Sequence, residues 1–178
     1  MTQLEEIERA SNLVSLFLKR ADAGGDKPFL GRKVAGEWQT ISWREVADQI
    51  CLLAENLRGL GLRDGDRVML VSENRPEWCI SDLAIMAAGC ITVPTYTTNT
   101  TRDHQHILTD SGARAVIVST AKLAQALMPL LVETASKPDS DVRVVALSST
   151  AHKMGDIRWD DPHWESGEYD KWKAYGQA

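Results

Sequence analysis

From Asp66 onward the chain alternates between short apolar runs and amphipathic segments, and no other feature of the sequence limits the possible folds as strongly. Each apolar run has the length of a buried strand, and the segments between them have helical periodicity. Connections of this kind return successive strands parallel to one another through right-handed crossovers. The predicted strands are Arg67 to Ser72, Ile91 to Pro94, Ala115 to Val118 and Val142 to Leu147. The sequence therefore predicts an α/β fold, with a mostly parallel sheet flanked by helices on both faces.

Capping residues locate the helices between these strands. Asn74 and Glu77 predict the start of a helix that covers Arg75 to Ala88. Thr120 predicts the cap of a later helix. Within that helix Pro129 indicates a kink or an early stop, because proline lacks a backbone N–H and its ring clashes with the preceding turn.

A hairpin and a helix are predicted upstream of the alternating region. Two β-like runs, Phe29 to Val34 and Trp38 to Ile41, are joined by a short Ala-Gly turn, which is typical of a β-hairpin. Ser42 and Glu45 then form a capping-box pattern, so a helix should begin there and cover Trp43 to Arg58.

The first residues have the pattern of an amphipathic helix, because Leu4, Ile7, Val14 and Leu18 recur at helical spacing. Three glutamates among the first eight residues interrupt any apolar stretch of signal-peptide length, so no secretory signal is expected. The longest uncharged run, 83–101, contains a glycine and a proline. No membrane-spanning segment is therefore expected.

Charge and cysteine content narrow the function classes. The chain has 20 Lys and Arg residues against 25 Asp and Glu residues, and it lacks the basic cluster that sequence-independent nucleic-acid binding requires. Cys51, Cys79 and Cys90 are set far apart in apolar contexts, which argues against a disulfide framework and a paired metal site. The cysteines are expected to be buried small hydrophobes in a cytoplasmic protein.

Two patterns resemble a nucleotide-binding loop and a metal site, but their positions in the predicted structure argue against both. The glycines of segment 59–65 follow a helix and precede a strand, whereas a dinucleotide loop needs glycines after a strand. We expect a helix stop and a turn there. His104 and His106 are two residues apart on a predicted helix, so they point about 200° apart and cannot share a metal ion. A surface or capping role is expected for both histidines.

The most unusual local stretch is the threonine-rich segment 95–101. It leaves the carboxyl end of a predicted parallel strand, where open α/β sheets usually place their ligands. Its side chains also suit a turn and a helix cap, and Thr100 with Asp103 frames a predicted helix that runs to Ser111 and stops at Gly112. The residues alone leave a cleft-lining role and a turn-plus-cap role equally open, because hydroxyls by themselves identify no reaction.

Five segments stand in an order and spacing that one family shares. They are Thr40–Val46, Gly61–Val68, Asn74–Trp78, Ala87–Tyr96 and Ile107–Ala113. Together they resemble the first third of AMP-forming acyl-CoA synthetases, which belong to the adenylate-forming superfamily. The resemblance covers Lys27 to Leu147. It is strongest to the long-chain fatty-acid CoA ligase branch, through the elements Asn-x-x-Glu-Trp and Val-Pro-x-Tyr-x-Thr.

The resemblance implies a parent enzyme that uses ATP and Mg to convert a fatty acid into an acyl-adenylate and then transfers the acyl group to CoA. In that family the phosphate loop, the adenine- and Mg-binding element, the ribose-binding aspartate and the lysine of the C-terminal domain lie downstream. None has a counterpart here. The chain is therefore expected to be an N-terminal fragment, truncated or from a split or broken gene. We expect it to bind no cofactor and to be inactive alone, and we assign no catalytic, cofactor-binding or metal residue.

The resemblance also implies that the segment after the Val-Pro element lies near the acyl or CoA side of the cleft. The candidate cleft-lining residues are Tyr96, Thr97, Thr98, Asn99, Thr101 and Arg102. The remainder of the parent enzyme is the expected partner, and a homodimer contact is a further expectation. Two alternatives stay open: another acyl- or aryl-adenylating ligase, and a stand-alone, non-enzymatic α/β binding module.

Three segments are predicted: 1–26, an N-terminal helix and linker; 27–150, the α/β subdomain; and 151–178, an acidic tail. Between Asp156 and Asp170 the tail has six carboxylates and one arginine. It also carries half of the six tryptophans, at Trp159, Trp164 and Trp172. We expect these indoles to pack onto the domain rather than to form a dedicated interaction surface.

Overall fold

The computed structural model describes residues 10–136 and the backbone of a strand at 143–146. The described helices are α1 (Leu13–Gly24), α2 (Trp43–Gly59), α3 (Pro76–Ala87), α4 (Thr101–Ser111) and α5 (Ala121–Ala135). The described strands are β1 (Pro28–Val34), β2 (Glu37–Ser42), β3 (Arg67–Val71), β4 (Ile91–Thr95), β5 (Ala115–Val118) and β6 (Arg143–Ala146). The tail from 151 onward, with its tryptophans, and the predicted boundary at 150 lie outside the described residues.

Strands β3 to β6 form one parallel sheet in the order β4-β3-β5-β6, which confirms the predicted parallel sheet. From β3 the chain moves to β4 on one side, then returns across β3 to β5 and continues outward to β6. The connections that leave the neighbouring strands β3 and β5 therefore run in opposite directions. In doubly wound α/β sheets, the crevice at such a point is where ligands bind.

Helices cover both faces of this sheet, as predicted. Leu70 of β3 belongs to a buried cluster with Ile85 of α3, on the face that α2 and α3 cover. The next residue, Val71, belongs to a second cluster with Leu108 of α4 and Leu127 of α5. Because side chains alternate along a strand, the central strands β3 and β5 are buried on both faces.

Strands β1 and β2 form an antiparallel hairpin apart from the main sheet, which confirms that prediction. Its turn contains Gly36 with φ of 92°, a left-handed conformation that favours glycine. The contacts that hold the hairpin to the helices include an aromatic stack and an ion pair. Phe29 stacks on Trp43 with ring centroids 3.7 Å apart, and Arg32 pairs with Glu77 of α3 at 3.0 Å.

Helix α1 starts later than its apolar pattern predicts, because Asn12 caps it. The Asn12 side chain accepts a hydrogen bond from the Ser15 N–H at 2.8 Å, and the Ser15 hydroxyl accepts one from the Asn12 N–H at 3.3 Å. This capping box holds Asn12 in extended geometry, so the predicted helix does not continue upstream of Leu13 in the described residues. Residues 1–9, with Leu4 and Ile7, lie outside the described residues.

One further helix prediction is wrong, and one of the two alternatives at Pro129 is excluded. The N-cap of α3 is Arg75 instead of Asn74, and Pro76 occupies the first turn, where its missing N–H needs no partner. Helix α5 continues through Pro129 to Ala135, so the early stop does not occur. Among the described helices, none is both long enough and apolar enough to cross a membrane.

Arginines close the amino edge of the sheet, where α3 and α4 end. Arg67 donates from Nε to the Ser111 carbonyl at 2.9 Å and from Nη2 to the Gly112 carbonyl at 3.2 Å. Arg58 donates from Nε to the Ala88 carbonyl at 3.2 Å. A helix leaves its last carbonyls without intrahelical partners, and its C-terminus attracts cations. These arginines therefore satisfy both helix ends.

The turn that leads into β3 is also tied at the amino edge. The Asp66 carboxylate accepts the backbone N–H of Arg63 at 2.8 Å and pairs with Arg114 at 3.0 Å. Gly89 has φ of 80°, and a Cβ atom there would overlap the carboxylate of Asp64. The helix stop and turn expected before β3 are confirmed.

Candidate functional site

Three loops meet at the carboxyl edge of the sheet. They follow β3, β4 and β5 and comprise residues 72–75, 96–100 and 119–120. The first and third flank the crevice between β3 and β5, which is the ligand position that this topology favours. These three loops are the candidate site.

A hydrogen bond joins the two loops that flank the crevice. Ser119 Oγ donates to Glu73 Oε2 over 2.6 Å, and the Ser119 backbone N–H donates to the Val71 carbonyl over 3.1 Å. The hydroxyl stabilises the ionised carboxylate, so it lowers the pKa of Glu73. The sequence pattern singles out neither residue, although each directly follows a predicted strand, which is the signal that could have found them.

The threonine-rich loop after β4 forms both a turn and a helix cap. Asn99 Nδ2 donates to Oγ1 of the buried Thr95 over 2.7 Å, and the Asn99 N–H donates to the Tyr96 carbonyl over 3.2 Å. Thr100 Oγ1 accepts the N–H of Asp103 at 3.3 Å and completes the N-terminal capping box of α4. The predicted turn-plus-cap role is therefore confirmed, and so is the helix that ends at Gly112.

The six predicted cleft-lining residues lie together on this loop and on the first turn of α4. Tyr96 is 79% exposed. Thr98, Thr101 and Arg102 are also exposed, whereas Thr97 and Asn99 are half-buried. The loop follows β4, the outer strand next to β3 in the described sheet, so it lies one strand from the crevice between β3 and β5. A cleft-lining role for these residues stays a prediction.

His104 is buried, so its predicted surface or capping role is wrong. Its side chain is 4% exposed, and its Nδ1 atom has no hydrogen-bond partner in the described structure. It lies one turn from Leu108 on the buried face of α4. Burial lowers the pKa of His104, and the neighbouring Asp103 opposes this shift only in part. His106 is exposed, in agreement with the prediction.

The cysteines divide between surface and interior. Cys90 is buried and Cys79 half-buried, and burial raises the pKa of both thiols. Cys51 is exposed on α2, so the prediction that it is buried is wrong. A raised pKa disfavours the thiolate, which is the nucleophilic form of cysteine. In the part of the chain that the structure describes, no three His, Cys, Asp or Glu residues are grouped closely enough to hold a metal ion.

The three loops at the carboxyl edge carry mostly neutral polar side chains. Charge on a transferring polyphosphate is neutralised by converging cations, backbone donors and a metal ion. Of the two arginines near these loops, Arg75 pairs with Glu77 at 2.8 Å and Arg102 is exposed on α4. Within the described loops 72–75, 96–100 and 119–120, the side chains supply one cation, Arg75, and it is already paired with Glu77.

Comparison with known proteins identifies the family. The model of the family described as AMP-binding enzyme matches residues 17–173 of the 178 in this chain. The chain belongs to the AMP-binding enzyme family. The match includes the hairpin, the whole described sheet and most of the acidic tail, and it confirms the resemblance that the five sequence segments indicate.

Individual relatives cover different shares of their own length. The chain is 35% identical over 109 residues to the long-chain-fatty-acid–CoA ligase FadD15 of Mycobacterium tuberculosis, an alignment that covers 61% of this chain and 18% of the ligase. It is 29% identical over 116 residues to an uncharacterized protein of Mycobacterium tuberculosis, and that alignment covers 65% of each. The chain thus spans less than a fifth of the curated ligase that it matches.

A solved structure agrees with this assignment. The N-terminal subdomain of Klebsiella oxytoca NpsA, solved with 3-hydroxybenzoyl-AMSN, superposes with a TM-score of 0.59 at 25% sequence identity. The superposition covers 75% of this chain and 29% of the NpsA chain. The described fold is therefore similar to less than a third of the NpsA N-terminal subdomain.

Proposed function

We propose that this chain forms the N-terminal part of an AMP-forming fatty-acid–CoA ligase and is not catalytic alone. The parent reaction converts a fatty acid, ATP and CoA into acyl-CoA, AMP and pyrophosphate through an acyl-adenylate. One observation carries the proposal. The chain is similar to a fatty-acid–CoA ligase over only 18% of that enzyme, within a family match that spans nearly all of the chain.

The polar groups of the carboxyl edge support the non-catalytic part of the proposal. Glu73 and Ser119 form one carboxylate–hydroxyl pair, and Arg75 is paired with Glu77. Such a set can orient a hydroxyl or an amide, but it cannot neutralise a polyphosphate. In the parent enzyme, residues outside this chain would hold ATP, Mg and CoA.

In the assembled ligase we place the segment 96–102 on the acyl or CoA side of the cleft. Its position after a parallel strand and the 79% exposure of Tyr96 support this placement. The remainder of the parent enzyme is the partner that would cover it, and a homodimer contact is a further proposal. Free cysteines, one of them exposed, support a reducing compartment, which we take to be the cytoplasm.

A chimera tests the proposal. The aligned 109-residue segment of FadD15 is replaced by its counterpart from this chain, and AMP release is measured with a fatty acid, CoA, ATP and Mg. We expect the chimera to release AMP and FadD15 without the segment to release none. A chimera that melts cooperatively yet releases no AMP contradicts the proposal.

The 178-residue chain alone provides a second test. Millimolar ATP with Mg should leave its melting temperature unchanged, because the donor set for a polyphosphate is missing from the described residues. A genuine site would stabilise the fold by about 2.7 kcal/mol at a hundred times Kd. A saturable rise in melting temperature, absent with Mg alone, would show that the chain binds nucleotide by itself.

A stand-alone binding module is the second candidate, and one observation favours it. The uncharacterized relative is covered to the same 65% as this chain, so the two have similar lengths. Exposed apolar side chains such as Leu52, Ile91 and Val132 predict self-association if a partner subdomain is missing. A monodisperse monomer that binds no apolar dye would favour the module.

A further inference from the structure

The middle of the exposed side of α5 carries no charge. Between the first and last turns of this helix, the exposed residues are Gln125, Ala126, Met128, Pro129 and Val132. Val132 is 63% exposed and Met128 is 44% exposed. A surface helix of a soluble protein normally presents charged residues to water, so this side of α5 has the composition of a contact surface.

The other helices show how this chain treats its helix surfaces elsewhere. On the opposite face of the sheet, α1 packs over α2 and α3, and Phe17 of α1 is buried in one cluster with Ile50 and Ala84. Helix α4 lies beside α5 and is also exposed, but its exposed residues include the charged Arg102 and Asp110. Helix α5 therefore differs from both arrangements, because its apolar outer side is exposed.

The two charged residues of α5 are exposed and lie at its two ends. Lys122 is in the first turn and Glu133 is in the last turn. A helix has partial positive charge at its N-terminus and partial negative charge at its C-terminus, so each residue lies at the end that disfavours its charge. Eleven positions separate them, which is about three turns, so their side chains leave the helix on the same side, within about 20° of each other.

We propose that a second copy of this chain packs its α5 antiparallel on this side, around a twofold axis near Met128. The midpoint between Lys122 and Glu133 coincides with the middle of the helix Ala121–Ala135. A twofold axis there reverses the second helix, so that each Lys122 lies opposite Glu133 of the partner subunit. Two ion pairs then flank an apolar centre that contains Met128 and Val132.

This arrangement gives a physical reason for the charge order of α5. In an antiparallel pair, Lys122 at the N-terminus of one helix lies beside the negative C-terminal end of the other helix. Glu133 likewise lies beside a positive N-terminal end. Charges that are unfavourable in the isolated helix are therefore favourable in the pair.

The contact is small. Helix α5 has 15 residues and is about 22 Å long, and a single helix pair of that length buries less than the roughly 1,600 Å² of a standard interface. We therefore expect a reversible dimer. The inference locates the homodimer contact proposed above, and it does not depend on the ligase reaction.

Charge reversal in the 178-residue chain tests the inference. Lys122→Glu and Glu133→Lys each replace both ion pairs by pairs of like charge. Each substitution also agrees with the helix dipole, so both variants should fold, as a cooperative melt checks. Sedimentation equilibrium over a hundredfold range of protein concentration should show a dimer of the natural chain and a Kd about tenfold higher for each variant.

Mixing the two variants tests the pairing itself. At these two positions, the Lys122→Glu chain has two acidic side chains and the Glu133→Lys chain has two basic ones. Both pairs are attractive again in a mixed dimer, so an equimolar mixture should dimerise with a Kd within about threefold of that of the natural chain. The double variant Lys122→Glu with Glu133→Lys should recover to the same extent.

An apolar substitution locates the centre of the contact. Val132→Ser should raise the Kd about tenfold, because it removes an apolar side chain from both halves of the interface. Leu52→Ser is the matched control, since Leu52 is 61% exposed but lies on α2, and it should leave the Kd unchanged.

Three outcomes overturn the inference. The first is a natural chain that stays monomeric throughout the concentration range. The second is association that the charge variants do not weaken or that mixing does not restore, since the contact would then lie elsewhere. The third is equal weakening by Leu52→Ser and Val132→Ser. None of them involves AMP release, so the ligase proposal stands or fails separately.

Discussion

The two edges of the parallel sheet differ in how their polar groups are used. At the amino edge, Arg67 and Arg58 donate to the last carbonyls of two helices, and Asp66 is paired with Arg114. At the carboxyl edge, one side-chain hydrogen bond joins neighbouring loops, Tyr96 is exposed, and a buried histidine nitrogen has no partner in the described structure. The amino edge is thus held by interactions between its own residues, whereas fewer side-chain interactions join the loops of the carboxyl edge.

This difference separates the segments that carry the family resemblance by their structural role. The Gly61–Val68 segment and Gly89 lie at the amino edge, where they terminate helices and start strands. Their roles are structural, so their presence identifies the family without supplying a reaction. The carboxyl edge, where we propose that ligands bind, carries mainly hydroxyls and one carboxylate.

The largest expected effect comes from removing the hydrogen bonds that Arg67 donates at the amino edge. Arg67→Met keeps the apolar stem and removes the donors to Ser111 and Gly112. Because hydrogen bonds from a charged donor are lost and two carbonyls lose their partner, the free energy of unfolding should fall by about 2–3 kcal/mol. Arg102→Met, at the exposed carboxyl edge, should change it by less than about 0.5 kcal/mol. Urea unfolding of both variants checks the contrast, and equal losses would abolish it.

A smaller effect is expected at the cap of α4. Thr100→Ala removes the hydroxyl that accepts the Asp103 N–H and should cost about 1 kcal/mol of unfolding free energy. Thr98→Ala, on the same loop at an exposed position, should be nearly neutral. If both substitutions cost the same, Thr100 does not stabilise α4 as a cap.

The smallest expected effect is a pH dependence of stability that comes from the buried His104. Burial lowers the pKa of folded His104 below the unfolded value of about 6.5, so the unfolded chain binds more protons between the two values. The free energy of unfolding is therefore unaffected by His104 above about pH 6.5, where its imidazole is neutral in both states. It decreases as the pH falls towards and through the pKa of folded His104. Asp103 is the charged neighbour that opposes the shift, and Glu73 and Asp103 themselves titrate at lower pH.

Thermal melts between pH 7.5 and 5 measure this dependence. His104→Leu should flatten the fall in melting temperature at acid pH, whereas His106→Leu, at an exposed position on the same helix, should leave it unchanged. If the melting temperature of His104→Leu falls as steeply with pH as that of the natural chain, the buried imidazole is not responsible for the pH dependence.

The sheet could be predicted because its strands are continuous apolar runs and its helices have caps that hydrogen bond locally. Ser42 and Thr100 each bond within three residues, so the sequence contains the whole interaction. The N-cap at Asn12 is harder to predict, because apolar residues recur at helical spacing on both sides of it and favour one longer helix. His104 lies four residues before Leu108, so helical periodicity places both on the buried face of α4. Its burial is hard to predict because histidine is a polar residue.

The candidate site could be predicted only in part. The segment 96–102 is visible as a polar loop after a strand, but the Glu73–Ser119 contact joins residues 46 positions apart. That contact depends on β5 pairing with β3. Periodicity and caps define strands and helices, but they do not define which strands are neighbours in the sheet.

The most direct test of the central claim, that this chain is one part of a larger ligase, is the length of the native polypeptide. The gene would be read past the codon for Ala178, and the intact mass would be measured in a cell extract. The account predicts a reading frame that continues into a Ser/Thr/Gly-rich loop ending in Pro-Lys-Gly, and a mass well above 19.7 kDa. A native protein of 19.7 kDa that ends at Ala178 would contradict it and favour the stand-alone module.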